Sequence, residues 1–136
     1  MSEHIIGCMS EEIIVIDCYN VMFSTYCYSP YRSSKSMEKC RDDFLKNISE
    51  YSQNTGQEFV LVFDGYGQDF EKDLVSILYS KDITADEKIM ELSKEYPEDT
   101  IYVSSDRRGV FGTMRSNKKR FLSPLKFLGI LNANEK

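Results

Sequence analysis

At 136 residues, 41% hydrophobic and 29% charged, the chain is long enough for one domain with a core of its own, and its composition excludes a disordered or fibrous protein. Its four cysteines (Cys8, Cys18, Cys27, Cys40) form no CxxC pair and His4 is its only histidine, which argues against a zinc site and for reduced thiols in a cytoplasmic protein. The net charge of −5 hides an asymmetry, because residues 1–106 carry 9 Lys and Arg against 21 Asp and Glu while residues 107–136 carry 8 against one; such a split suggests a polyanion contact, against the plainer reading of a solvated basic helix.

Residues 1–11 read as an N-terminal extension to a domain over 12–136. They hold acids and no basic patch ahead of an apolar run, so no signal peptide is expected, and no apolar run approaches a membrane span. Ile13-Ile14-Val15-Ile16 is an aliphatic run suited to a strand buried on both faces, and it stops at Asp17, with Asn20 three residues on. In an open parallel sheet, ligands bind beyond the carboxyl ends of the strands. An acid there is a candidate site residue, although Asp also ends strands for turn reasons. Residues 21–36 have no clean period and are expected to form a loop with at most a short helical turn; Phe23, Tyr26, Tyr28 and Tyr31 either stack on bases or pack over the core.

Ser36 is a predicted N-cap for a scaffold helix through Asn54, with Met37, Cys40, Phe44, Ile48 and Tyr51 on its apolar stripe and Gly56 as its stop. Residues 58–63 form a second buried strand, again ended by an acid, Asp64. Strand, helix, strand makes the two strands parallel and puts Asp17 and Asp64 at one edge. Gly65-Tyr66-Gly67 reads as a turn, and residues 73–80 as a third strand. Thr84 and Glu87 have the spacing of a capping box, with Asp86 in the first turn of the helix that follows; such a carboxylate suits the helix dipole whatever else it does. Pro97 ends that helix. Residues 100–105 are a fourth strand running into Asp106. Gly109 and Gly112 break the remainder early, leaving short helical pieces at 117–122 and 125–131.

Four carboxylates at one edge, Asp17, Asp64, Asp86 and Asp106, repel one another unless a cation or protons intervene. Oxygen donors without His or Cys select a hard ion, Mg²⁺ or Mn²⁺. The matching chemistry is phosphodiester hydrolysis with one or two such ions. Asn20 would orient a phosphate or a water, and Ser104 or Ser105 would hydrogen-bond a ligating carboxylate. Arg107, Arg108, Arg115, Lys118, Lys119 and Arg120 form an acid-free run just past Asp106; beside the carboxylates they would neutralise a nucleic-acid backbone.

Ile-Asp-x-Tyr-Asn at residues 16–20, Val-Phe-Asp-Gly at 62–65, Thr-Ala-Asp-Glu-x-Ile at 84–89 and Ser-Ser-Asp-Arg at 104–107 together resemble the NYN domain, a branch of the PIN-like ribonucleases, and within it the YacP-like group, over roughly residues 12 to 120. The resemblance implies a three-layer α/β/α fold with a mainly parallel central sheet. It also implies a metal-dependent endoribonuclease whose carboxylates correspond to Asp17, Asp64, Asp86 and Asp106, with Asn20 assisting. Two departures stand out. Cys18 occupies a position where the family usually has glycine, so a side chain there is expected to narrow the approach to the backbone. The segment after Asp106 is short, and its Gly112-Thr113-Met114-Arg115-Ser116 replaces the family's usual motif. Two other readings compete with the nuclease: a catalytically weak RNA- or ribosome-binding module on the same fold, and a metal phosphatase for small phosphate esters.

Overall fold

The first strand, β1 (Ile13–Asp17), is the middle of the molecule. Its Ile14, Val15 and Ile16 are buried, alternating between two hydrophobic clusters: Ile14 and Ile16 face one, Val15 the other. A strand can be apolar at every position only when both of its faces are covered. The computed structural model describes residues 12–25, 34–106 and 109–133; Tyr26, Tyr28 and Tyr31 lie outside them. The chain leaves β1 directly into a short helix, α1 (Cys18–Phe23), which extends into the 21–36 segment where the sequence allows a short helical turn. Burial of Cys18, Val21 and Met22 holds it, since a helix this short needs tertiary contacts to persist.

Helix α2 (Met37–Thr55) follows, N-capped by the Ser36 hydroxyl and closed by Gly56 at φ +79°. Next come β2 (Glu58–Phe63), β3 (Phe70–Lys72) and β4 (Val75–Tyr79). Helix α3 (Ala85–Ser93) opens on the expected Thr84/Glu87 capping box and leads to β5 (Ile101–Val103). The chain ends in α4 (Gly109–Ser116), β6 (Arg120–Leu122) and α5 (Pro124–Ala133). The sheet order is β3-β4-β2-β1-β5-β6, and every pairing is parallel except the edge pair β3–β4. Helices α1, α2 and α5 cover one face, α3 and α4 the other. This is the expected three-layer α/β/α arrangement.

The third strand predicted over 73–80 is present as β4; Asp73 at φ +56° turns the chain before it and lets the unpredicted β3 pair back on it as a hairpin. Two local expectations fail. Gly109 and Gly112 do not break the chain but lie within α4, whose Phe111 and Met114 are buried. The predicted helical piece at 117–122 is instead β6: Lys118 at φ +68° stops α4, and residues 120–122 pair with β5. Ser123 then caps α5, accepting from the Lys126 N–H at 3.2 Å, and Pro124 takes the first helical position, where its missing N–H costs nothing. Among the described residues, no helix is long and apolar enough to cross a membrane.

Candidate active site

Parallel pairing brings the carboxyl ends of β4, β2, β1, β5 and β6 to one edge of the sheet. Asp17 ends β1 and is in register with Val62, one residue before the end of β2. It is only 7% exposed. Its carboxyl is pushed up to about 7, first by burial, then by the charges of Asp64 and Asp86, with a smaller push from Asp106; a hydrogen bond from the Asn20 backbone N–H opposes these. The other three acids picked out from the sequence therefore all act on Asp17. Their packing is nonetheless open: among the described residues, no three acidic, cysteine or histidine side chains converge closely enough to enclose a metal ion.

Asp64 stands one residue past β2, exposed, and its Oδ1 accepts the Ala85 N–H at 2.8 Å. That bond satisfies one of the orphan donors at the start of α3 and fixes the helix's first turn to the tip of β2. Asp86 lies in this turn, and its carboxylate accepts from the Thr84 hydroxyl. Sequence reasoning gave Thr84 only a capping role, though the same hydroxyl also orients the acid.

On the other side of β1, the strand β5 ends three residues before Asp106, so this acid sits on a loop rather than at a strand tip. The loop is held by Asn20. Its Oδ1 accepts from Ser105 N at 2.8 Å, Ser105 Oγ at 3.1 Å and Ser104 Oγ at 3.3 Å. Ser104 Oγ in turn accepts the Asp106 N–H at 3.1 Å. These serine bonds run to Asn20 and to the backbone of Asp106, not to the carboxylates they were expected to support. Arg115 donates to the Asp106 carbonyl at 2.6 Å, with its guanidinium 4.0 Å from the centre of the Phe121 ring. Cys18 does not narrow the crevice: its side chain is fully buried, with the thiol directed at the Ile16 carbonyl.

The basic run divides. Arg107 and Arg108 lie outside the described residues, and Arg115 reaches the acid edge. Arg120 is in register with Ile101, the first residue of β5, and Ile101 is paired with Ile14. This places it three strand residues, about 10 Å, from Asp17 towards the opposite edge. There it donates to Glu12 at 2.7 Å and to the Asp99 carbonyl at 3.2 Å, and Lys119 donates to the Ser93 carbonyl at the far end of α3. Lys118 precedes them in the same turn. The expectation that Lys118, Lys119 and Arg120 flank the carboxylates is thus corrected by β6, whose parallel pairing carries them to the amino edge.

Comparisons with known proteins agree with this architecture. The model of the YacP-like NYN domain matches residues 14–136. The crystal structure of Rae1 (YacP) from Bacillus subtilis superposes with a TM-score of 0.75 at 22% identity, over 91% of this chain and 75% of that one. A point mutant of the same protein gives 0.74 at 22% identity, over 91% and 77%. No curated protein matches by sequence. Strand-tip acids on a parallel sheet, a family match across nearly the whole chain and the shared fold lead to one assignment: the chain belongs to the YacP-like NYN domain family, whose fold is that of the PIN-like nucleases.

Proposed function

We propose that this protein is a Mg²⁺- or Mn²⁺-dependent endoribonuclease that hydrolyses RNA phosphodiester bonds at its carboxylate edge. The observation that carries the reading is Asp17, a buried carboxylate at the centre of the sheet held in the field of Asp64, Asp86 and Asp106. Burying a charge among like charges is costly, and carboxylates perturbed in this way cluster at functional sites. The donor set fits a hard cation, since every candidate ligand is a carboxylate oxygen, and an open arrangement suits an ion that keeps several waters. Asp17, Asp86 and Asp106 would hold it, with Asp64 the fourth candidate. When bound, such an ion supplies acidity to a water and neutralises charge developing on the phosphate.

The chain's own residues do the positioning. Asn20 spends its carbonyl oxygen on the β5 loop, keeping Asp106 at the edge, and its NH₂ group makes no hydrogen bond to a described residue, which leaves it to donate to a phosphate oxygen or a water. Thr84 and Asp64 set the first turn of α3, and with it Asp86. The test is incubation of the purified protein with a structured RNA in Mn²⁺, Mg²⁺ or EDTA, beside an Asp106→Asn control. Cleavage that needs the ion and is lost in the variant is expected; cleavage in EDTA, or undiminished in the variant, would refute the reading. The openness of the carboxylate group favours one second reading, a catalytically weak RNA- or ribosome-binding module. It predicts RNA binding that is indifferent to divalent ions.

A further inference from the structure

An edge that carries four acids repels phosphates, and three of the cations expected to offset them lie at the other edge. Beside the proposed cation and Arg115, a contact that does not depend on charge would help to hold an RNA strand here. Tyr66 is placed to provide it. It stands two residues after Asp64, with its side chain 72% exposed, more than any other large apolar or aromatic side chain among the described residues except Leu125. Its hydroxyl donates to the carboxylate of Asp82, in the connection that leads to Thr84 and Asp86. The ring therefore bridges the segments that bear Asp64 and Asp86.

A single exposed aromatic is ordinary on a protein surface. What distinguishes Tyr66 is how firmly its turn is fixed. The Gly65 N–H donates to Ser80 Oγ at 3.1 Å, and the Gly65 carbonyl accepts from Lys81 N at 2.8 Å. Gly67 lies flat against the Tyr79 ring, where a Cβ would come within 2.5 Å of ring carbons; Tyr79 itself stacks on Phe63 at 5.7 Å between ring centres. The turn is thus tied to β4 on both sides of Tyr66, so the ring is exposed without being loose. A preorganised aromatic face of this kind suits a nucleobase, because every base has a π-face to stack.

We infer that Tyr66 is a stacking platform for an unpaired base of an RNA strand bound along the carboxylate edge. The inference rests on the nuclease reading for its substrate but is measured by binding as well as cleavage. Sheet order sets the direction. Tyr66 follows β2 on the side towards β4, about two strand spacings, or roughly 10 Å, from the loop of Asp106. The stacked base belongs to the part of the strand that crosses the β2–β4 side, while the part crossing β5 passes Arg115.

The experiment uses a labelled, non-pairing RNA strand, and the same strand with one abasic site moved along it, against wild type, Tyr66→Ala and Tyr66→Phe. Affinity is read by anisotropy, and KM and kcat by cleavage in Mn²⁺. Tyr66→Ala is expected to weaken binding and raise KM by roughly 5- to 100-fold while kcat stays close to wild type, and Tyr66→Phe, which keeps the ring, to recover most of the loss. One abasic position should cost wild type the same factor and cost Tyr66→Ala little more. Unchanged binding and KM in Tyr66→Ala, or a Tyr66→Phe as impaired as Tyr66→Ala, would overturn the stacking role and leave the nuclease reading standing. Weakened binding in a protein that cuts no RNA would do the reverse.

Discussion

Replacing Asp17 by Asn removes a charge and keeps the shape, and the consequence for stability can be worked out. The carboxyl sits at about 7 in the folded protein against 3.8 for an ordinary aspartate. At about 1.4 kcal/mol for each tenfold change, that difference makes ionised Asp17 cost the fold about 4 kcal/mol at most. The sign follows from proton binding. A raised folded pKa means the native state holds the proton more tightly, so the Asp17 contribution is fully favourable below pH 3.8. It is lost progressively as the pH rises to 7 and is level above that. In EDTA, Asp17→Asn should therefore match wild type in urea unfolding near pH 4 and exceed it by a few kcal/mol at pH 8. The two proteins differ at this one group, so the widening gap reports Asp17 together with its coupling to the neighbouring acids. Mn²⁺ should then narrow the gap by stabilising wild type alone, by about 2.7 kcal/mol at a hundred times its dissociation constant. A gap independent of pH, or a variant less stable than wild type at pH 8, would refute the account of Asp17 as a buried charge among like charges.

Three further outcomes follow from particular contacts. Gly67→Ala puts a methyl group into the Tyr79 ring and should cost roughly 1–3 kcal/mol by thermal or urea unfolding, in keeping with overpacked sites; an unaltered midpoint would mean the ring yields freely. Asp64→Ala removes the acceptor for the Ala85 N–H and should lower stability by about 1 kcal/mol, the usual worth of a cap, in EDTA as well as with metal, whereas a loss seen only with metal would make Asp64 a ligand and not a brace. Lys118→Ala, at the amino edge, should leave the slope of log affinity for RNA against log salt unchanged, and a fall of about one would return that edge to the RNA path.

The β1 and β2 runs, α2 and α3 are legible in the sequence because each has one dominant local signal: an aliphatic run that only a doubly covered strand tolerates, or a stripe at helical spacing between a Ser or Thr cap and a stop. The misread elements are those whose identity is decided by partners. Residues 120–122 carry no strand pattern of their own; they extend because β5 offers them a free edge. Gly109 and Gly112 weaken α4 locally, yet Phe111 and Met114 dock on the sheet and hold it. Helix α1 is too short to show a period.

The same distinction explains what could be read of the candidate site. An acid directly after a buried strand is visible in one dimension, and parallel pairing then decides its edge, so Asp17 and Asp64 could be placed by counting crossovers. Charge runs carry no such rule. Lys118, Lys119 and Arg120 follow Asp106 closely in sequence, but α4 and the turn at Lys118 carry them the length of a strand away, where Glu12 and the carbonyls of Ser93 and Asp99 take up the cations at 119 and 120. Tyr66 shows the converse. Nothing in its neighbours marks it in the sequence, and its interest comes from Ser80, Lys81, Tyr79 and Asp82, all of which reach it through the β2–β4 pairing. With Lys118, Lys119 and Arg120 at the other edge, loss of the Tyr66 ring should weaken RNA binding more than loss of Lys118.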